Sequence, residues 1–423
     1  MNHDIFDRRE SEVRSYCRTF PVVFRRAEGC RVFDEQGRAY IDFFAGAGAL
    51  NLGHNHPRLR RALIDYLMGD NITHSLDFWT TAKRDFMERF EAVLLAPRGL
   101  DYKLQFTGPT GTNAVEAALK LARKVTGRPG AYAFHGSFHG VTLGSLAVTG
   151  AAHPRKAAGV DLRDARLFRF DDSGLDALEQ ATASAQALPA AVIVETTQCE
   201  GGVLSAESTW LQRLESICRT RRILLIADEI QTGCGRTGPF FSFERAGLTP
   251  DMVCLSKSLS GYGLPLAVTL IRPHLDQWQT AEHNGTFRGF NLAFVTASEA
   301  LSFWETPHLQ HEIAARAKLV ESRLLRMCRS LSRVSVRGLG LLWGIECPTA
   351  SLAVEVQSDC FEAGLLVERC GPRGEVIKVM PPLTIDRDSL ELGLQIMRAS
   401  LVARSRHASD RARRSLHEGG RCR

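Results

Sequence analysis

The sequence has no apolar run long enough to cross a bilayer. Its longest, such as Ala190–Glu195 and Ile223–Ala227, are the length of β-strands. Residues 1–12 are polar, carry both signs of charge, and lack the apolar centre of a secretory signal. A cytoplasmic protein with no membrane partner is expected. Paired cysteine motifs are missing as well. The eleven cysteines are scattered, odd in number, and nowhere spaced as Cys-x-x-Cys. Neither a zinc site nor a disulfide framework is therefore expected, and no metal is assigned. No repeat occurs at solenoid periods, and no tract is of low complexity. An excess of one charge is nearly absent outside the end of the chain. Of the net +6, residues 404–423 supply +5 through seven arginines against Asp410 and Glu418. This tail has no aromatic residue to stack on a base, so nucleic acid is not the expected partner. Its composition reads as a basic, disordered extension.

What remains is the composition of an ordinary soluble enzyme, 44% hydrophobic and 24% charged over 423 residues. That length supports a large core and two or three domains. Short apolar runs recur at Leu104–Phe106, Ala131–Phe134, Ala191–Glu195, Ile223–Ala227, Met252–Leu255 and Leu266–Ile271. Between them, Asn113–Val125 and Ser208–Arg219 space their apolar residues as helices do. Alternating strand and helix predicts an α/β unit with a mostly parallel sheet covered on both faces. After residue 310 the pattern changes to a smaller α+β unit. A helix is expected over 308–330, strand over Val334–Cys347, helix over Ala353–Ala363, and strands at Leu365–Val367 and Val376–Val379. A last helix is expected over 388–402. The division is then 1–75 as a segment packing with the small domain, 76–310 as the large domain, 311–403 as the small domain, and 404–423 as the tail.

Three features of the large domain carry chemistry. Thr107-Gly-Pro-Thr-Gly-Thr-Asn113 is a turn of small residues between a strand and a helix, which exposes backbone N–H groups at a positive helix end and suits a phosphate. No Gly-Lys-Ser/Thr follows, so it is not a nucleotide P-loop. Leu224-Leu-Ile-Ala-Asp228 is an apolar strand ending in an acid, at the end of a parallel strand where open sheets bind ligands. Leu255-Ser-Lys257-Ser-Leu-Ser-Gly261 places a lysine after another apolar strand, where partial desolvation favours the nucleophilic neutral amine. Singly, these features are consistent with a plain turn, a helix cap and a surface lysine. Together they specify a phosphate cradle, an acid for a pyridine nitrogen and a Schiff-base lysine.

With these motifs in place, the sequence resembles the class III aminotransferases, which use pyridoxal 5'-phosphate on the fold-type I scaffold. The resemblance runs from about Phe20 to Met397. It includes Leu52-Gly-His-Asn-His-Pro57, Phe134-His-Gly-Ser-Phe-His-Gly140, Glu195-Thr-Thr-Gln-Cys-Glu-Gly-Gly202 and Asp228-Glu-Ile-Gln-Thr-Gly-Cys-Gly-Arg-Thr-Gly238, followed by Ser256-Lys-Ser-Leu-Ser-Gly261. It implies a seven-stranded, mostly parallel sheet and a catalytic pair, Lys257 as Schiff-base lysine and Asp228 at the pyridine nitrogen. Gln231 would contact the ring hydroxyl, Phe138 would stack on the ring and His139 would flank it. Gly111 and Thr112 would hold the phosphate, with Thr286 reaching across from a second subunit of a homodimer.

Within that class, Glu10-Ser-Glu-Val-Arg-Ser-Tyr-Cys-Arg18, Ala45-Gly-Ala-Gly-Ala-Leu-Asn-Leu-Gly53 and Asn284-Gly-Thr-Phe-Arg-Gly289 resemble the diaminobutyrate–2-oxoglutarate aminotransferases of ectoine, siderophore and peptide-antibiotic pathways. The implied reaction transfers the amino group of L-glutamate to L-aspartate 4-semialdehyde. The same resemblance makes Glu200 a gating acid over a carboxylate clamp, and Trp79 a substrate contact. The clamp position is Lys378, before Pro381-Pro382-Leu383, where the wider class has arginine. Lysine is a point charge without the bidentate fork. Phe290 stands where the wider class has asparagine. Alternatives consistent with the same motifs are an aminotransferase for ornithine, acetylornithine, 4-aminobutyrate or a polyamine, a semialdehyde aminomutase, and a cofactor-binding regulator.

Overall fold

A computed structural model describes residues 4–184, 188–329, 331 and 333–419. Its centre is a seven-stranded sheet built from β1 (Lys103–Phe106), β2 (Ala131–Phe134), β3 (Ala165–Phe168), β4 (Ala191–Val194), β5 (Leu224–Asp228), β6 (Met252–Leu255) and β7 (Val268–Ile271). The spatial order is β1-β7-β6-β5-β4-β2-β3. Only β7 runs antiparallel to its neighbours, pairing with β6 and β1. Strands β4, β6 and β7 are buried at every position. This is why they read as unbroken apolar runs: helices cover both faces. Helix α1 (Gly111–Thr126) and helix α2 (Ser208–Arg221) begin and end within two residues of their expected limits.

The sequence reading misses β3 altogether. Its residues, Ala-Arg-Leu-Phe, form an edge strand with only Phe168 buried, so no apolar run marks it. Strand expected over 334–347 is a hairpin instead, Ser335–Leu339 against Leu342–Glu346, turned at Gly340 with φ +59°. With Val376–Val379 and Glu368–Cys370 it makes a four-stranded antiparallel sheet in the C-terminal unit.

Residues 24–42 form three strands, the third of which, Ala39–Asp42, pairs with Leu365–Leu366 of that same unit and ties the N-terminal segment to it. Helices His308–Arg329, Ala350–Glu362 and Arg387–Gly419 pack there. The last of these runs well past the expected end near 402, so the backbone of most of the basic tail is helical where an irregular extension was expected. Arginine and alanine are good helix formers, and Arg404 is held by Asp359 at the helix surface. No described helix is long and apolar enough to cross a membrane.

Candidate active site

The carboxyl ends of β4, β5 and β6 deliver Glu195, Asp228 and Lys257 to one side of the sheet. Each strand buries its last residues among helices, so the first polar side chain beyond it is fixed by the packing of the strand. Lys257 opens a short 3-10 turn, Lys257–Ser260, in a left-handed conformation with φ +47°. A non-glycine residue there carries local strain that its surroundings must hold. Ser256 does part of this by donating to the Leu266 carbonyl at 2.8 Å, and the Asn51 N–H reaches the Ser258 hydroxyl at 3.1 Å.

Asp228 is buried, and its two oxygens have different partners. Oδ1 accepts from the Ile230 N–H at 3.0 Å, and Oδ2 lies 2.7 Å from Nδ1 of the buried His139. His139 is anchored in turn by its own N–H donating to the Thr149 hydroxyl. Its Nε2 is buried without a partner among the described residues. Glu195, next to this pair, accepts the Phe138 N–H at 3.1 Å. Burial, and then repulsion from Asp228, raise its carboxyl well above the usual value. Two acids in so dry a space call for positive charge beyond that of Lys257.

At the N-terminus of α1, Asn113 Oδ1 accepts from both the backbone N–H and the hydroxyl of Thr110, which fixes the turn. The Thr112 hydroxyl lies 2.8 Å from that of Thr142 and 2.6 Å from that of Ser145. Gly111 packs closely on Ile230, since a Cβ there would stand 2.9 Å from its side chain. The first N–H groups of a helix lack intrahelical partners, so the turn presents donors to an anion. A pyridoxal phosphate fits these residues. A protonated ring nitrogen answers the excess of buried acid at Asp228 and Glu195, and the phosphate answers the free donors of α1.

Gln231 donates to the Ala47 carbonyl at 2.8 Å and bonds Glu200. Through it the cofactor pocket meets a second cluster. Lys378, fully buried on Val376–Val379, donates to Glu200 at 2.6 Å and to Glu368 at 2.9 Å. Burial opposes the charge on Lys378, but the two carboxylates outweigh it and hold the ammonium well above its ordinary value. Burial likewise opposes ionisation of Glu200, and attraction to Lys378 and Lys257 reverses it, leaving that carboxyl below its ordinary value. Tyr16, half exposed as a residue, turns its hydroxyl toward the same acids; local burial, and then Glu368 and Glu200, raise its titration.

The structure thus brings together Lys257, Asp228, His139, Phe138, Gln231, Glu200 and Lys378, with Gly111 and Thr112 at the turn. Phe138 is 38% exposed. Thr286 and Trp79 stay outside this cluster. The Thr286 side chain is exposed and its carbonyl accepts from His74 at 3.0 Å, while Trp79 is 97% exposed. Glu195, Glu368 and Tyr16 were not assigned a place in the site from the sequence. Glu195 does end an apolar strand as Asp228 does, a signal that was there to be used. Among the described residues no group of side chains is arranged to hold a metal.

Residues 13–401 match the family model for Aminotransferase class-III. A diaminobutyrate–2-oxoglutarate transaminase of Halalkalibacterium halodurans is 51% identical over 411 residues, covering 95% of this chain and 96% of that protein. One of Halomonas elongata is 51% identical over 415 residues, covering 95% and 99%. Among solved structures, the ornithine aminotransferase of Toxoplasma gondii superposes with a TM-score of 0.85 at 28% identity, covering 94% of this chain and 93% of that one. The N-acetylornithine aminotransferase of Stenotrophomonas maltophilia gives a TM-score of 0.76 at 29% identity, covering 95% and 98%. With a family match across most of its length and the strand ends, lysine and helix turn placed as described, the chain belongs to the class III aminotransferases, which are pyridoxal-phosphate dependent.

Proposed function

We propose that this protein is a transaminase that moves the amino group of L-glutamate to L-aspartate 4-semialdehyde, giving 2-oxoglutarate and L-2,4-diaminobutyrate by a reversible two-step exchange. The observation that carries the reading is the meeting of Lys257, Asp228 and the α1 turn beside the Glu200–Lys378 cluster, on a chain about half identical to relatives named for this reaction. When bound, pyridoxal phosphate supplies an aldehyde to carry the amino group and a ring to take up electrons.

The residues of the chain do the rest. Asp228, oriented by His139, would hold a proton on the ring nitrogen. The first turn of α1 would hold the phosphate through Gly111 and Thr112. Lys257 Nζ would hold the aldehyde of the cofactor and would move a proton at the amine-bearing carbon of the substrate. Phe138 would close one face of the ring against water, and Gln231 would hold the ring hydroxyl. Glu200 and Lys378 face the end of the substrate remote from the reacting amine, and Trp79 is a further contact.

The active unit in this reading is a homodimer in which Thr286 of one subunit completes the phosphate site of the other. Exposed Phe78, Trp79 and Phe287, at 64%, 97% and 66%, support a surface that a partner covers. A cytoplasmic setting agrees with the ten described cysteines, all free. Supply of diaminobutyrate to an ectoine-type pathway rests on the resemblance of the N-terminal motifs.

The test is an assay of the purified, cofactor-loaded protein with diaminobutyrate and 2-oxoglutarate, following glutamate formation. Glutamate should appear only when both are present. Turnover of ornithine or 4-aminobutyrate in preference to diaminobutyrate would reassign the substrate. Conversion without any 2-oxo acid would point to a mutase.

A further inference from the structure

The cluster around Lys378 holds one carboxylate more than a gated carboxylate clamp requires. A clamp of that kind consists of one cation and one acid. While the acid is in place the pair is neutral, and when it swings away the cation is left to receive a substrate carboxylate. Here Lys378 has two acids, Glu200 at 2.6 Å and Glu368 at 2.9 Å. They are not equivalent. Glu368 lies directly across the sheet from Lys378, in register on the adjacent strand, and its side chain is 10% exposed. Glu200 comes from a loop after β4, and its side chain is 29% exposed. Turning Glu368 away would leave its carboxylate buried without a partner, whereas the more exposed Glu200 can turn toward solvent. With Glu200 in place the cluster carries one net negative charge, and with Glu200 turned away Lys378 and Glu368 remain a neutral pair. In either position the pocket is one unit more negative than a simple clamp.

We infer that Glu368 is a specificity-determining residue that acts through Lys378. By occupying the lysine permanently it leaves Glu200 as an anionic face, which favours substrates bearing an ammonium at the end remote from the reacting amine over substrates bearing only a carboxylate there. This deepens the proposed function and rests on it, because the two exchanging substrates differ at just this end. Diaminobutyrate and aspartate semialdehyde bring an α-ammonium beside their carboxylate; glutamate and 2-oxoglutarate bring a carboxylate alone. Glu368 does not touch substrate in this scheme. It is a positioning residue, and its effect is on the balance between partners and not on the chemical step.

The experiment compares the cofactor-loaded wild type with Glu368→Gln, measuring KM and kcat separately for diaminobutyrate and for glutamate. Loss of the second carboxylate frees the charge of Lys378, so KM for glutamate should fall and KM for diaminobutyrate should rise, each about tenfold or more, with kcat little changed. A tenfold change corresponds to about 1.4 kcal/mol, within the range of one charge-assisted contact. Glu368→Asp, which keeps the charge, should restore the wild-type order. Equal changes for the two substrates, or a fall in kcat alone, would show a merely structural residue. A second arm needs only the wild type: 4-amino-2-hydroxybutyrate replaces the α-ammonium of diaminobutyrate by a hydroxyl of similar size. It should react at least about tenfold less efficiently, as loss of a charge-assisted partner implies. Equal efficiency would refute the inference even if the variant failed to fold. Failure of the wild type to use diaminobutyrate at all would strike the proposed function instead.

Discussion

Replacing Lys378 by methionine keeps the bulk of the side chain and removes its charge, leaving Glu200 and Glu368 facing each other in a buried space. Removing one partner of a buried ion pair costs about 3–5 kcal/mol, because the group left behind keeps its desolvation penalty without its attraction. A chain of 423 residues unfolding as one unit has an unfolding entropy of about 0.9 kcal/mol per degree, so the loss lowers Tm by about 3–6 °C near neutral pH.

The pH dependence identifies the cause. In the wild type, Lys378 is raised above its ordinary 10.5, so its contribution is full below that value and is lost as pH rises through the folded one. Glu200 is lowered from 4.5, so its contribution is present above 4.5 and is lost as pH falls through the folded value. The cluster is therefore stabilising across the neutral range. In the variant Glu200 keeps only the attraction of Lys257, and burial together with the facing carboxylate of Glu368 raises it. Glu200 then destabilises the fold as pH climbs above 4.5, at up to about 1.4 kcal/mol per pH unit. Calorimetry of wild type and Lys378→Met at pH 5 and pH 8 should show a Tm gap that is several-fold larger at pH 8. A gap of the same size at both values would refute an electrostatic cluster and leave only lost packing.

Three further outcomes follow from the cofactor pocket. Lys257→Ala should abolish borohydride labelling by the cofactor and reduce transamination by more than about 10³-fold, as measured by stopped assay, because no other described amine stands at the end of β6. His139→Leu removes the partner of Asp228 Oδ2, and apoprotein titration followed by absorbance should show cofactor held about 10–100-fold more weakly, with His139→Asn recovering part of the loss. Gly111→Ala drives a methyl to 2.9 Å from Ile230; it should cost about 1–3 kcal/mol in denaturant unfolding and weaken phosphate binding, and Ile230→Ala should relieve it.

The parts of this fold that could be read from the sequence are those where one physical requirement dominates. Strands β4, β6 and β7 must be apolar at every position because the sheet is covered on both faces, and the sequence shows them with nearly their observed limits. Strand β3 is under no such constraint: it sits at the edge, exposes Arg166, and gains its structure from pairing with β2. Propensity carries little information where tertiary pairing decides. The hairpin at Gly340 was merged into one strand for a related reason. Gly338 and Gly340 look like breaks in a strand, and only the register of Ser335 with Glu346 reveals that the second serves as the turn.

The site divides along the same line. Lys257, Asp228 and the α1 turn were legible because each stands at a boundary between elements, where a polar residue after an apolar run is conspicuous. Glu368 and Tyr16 were not, since neither departs from its local sequence in any way. Glu368 sits ten residues before Lys378 on a short strand, and its meaning arises only when the turn between them brings the two into register. Tyr16 lies in the N-terminal segment, which is tied to the C-terminal unit where Ala39–Asp42 pairs with Leu365–Leu366. Resemblance to a family supplied one acid for Lys378 because the family pattern holds one at that position. The second acid belongs to the way this chain folds over it, and a lysine bracketed on both sides cannot serve as the free cation that an arginine provides when its single acid withdraws.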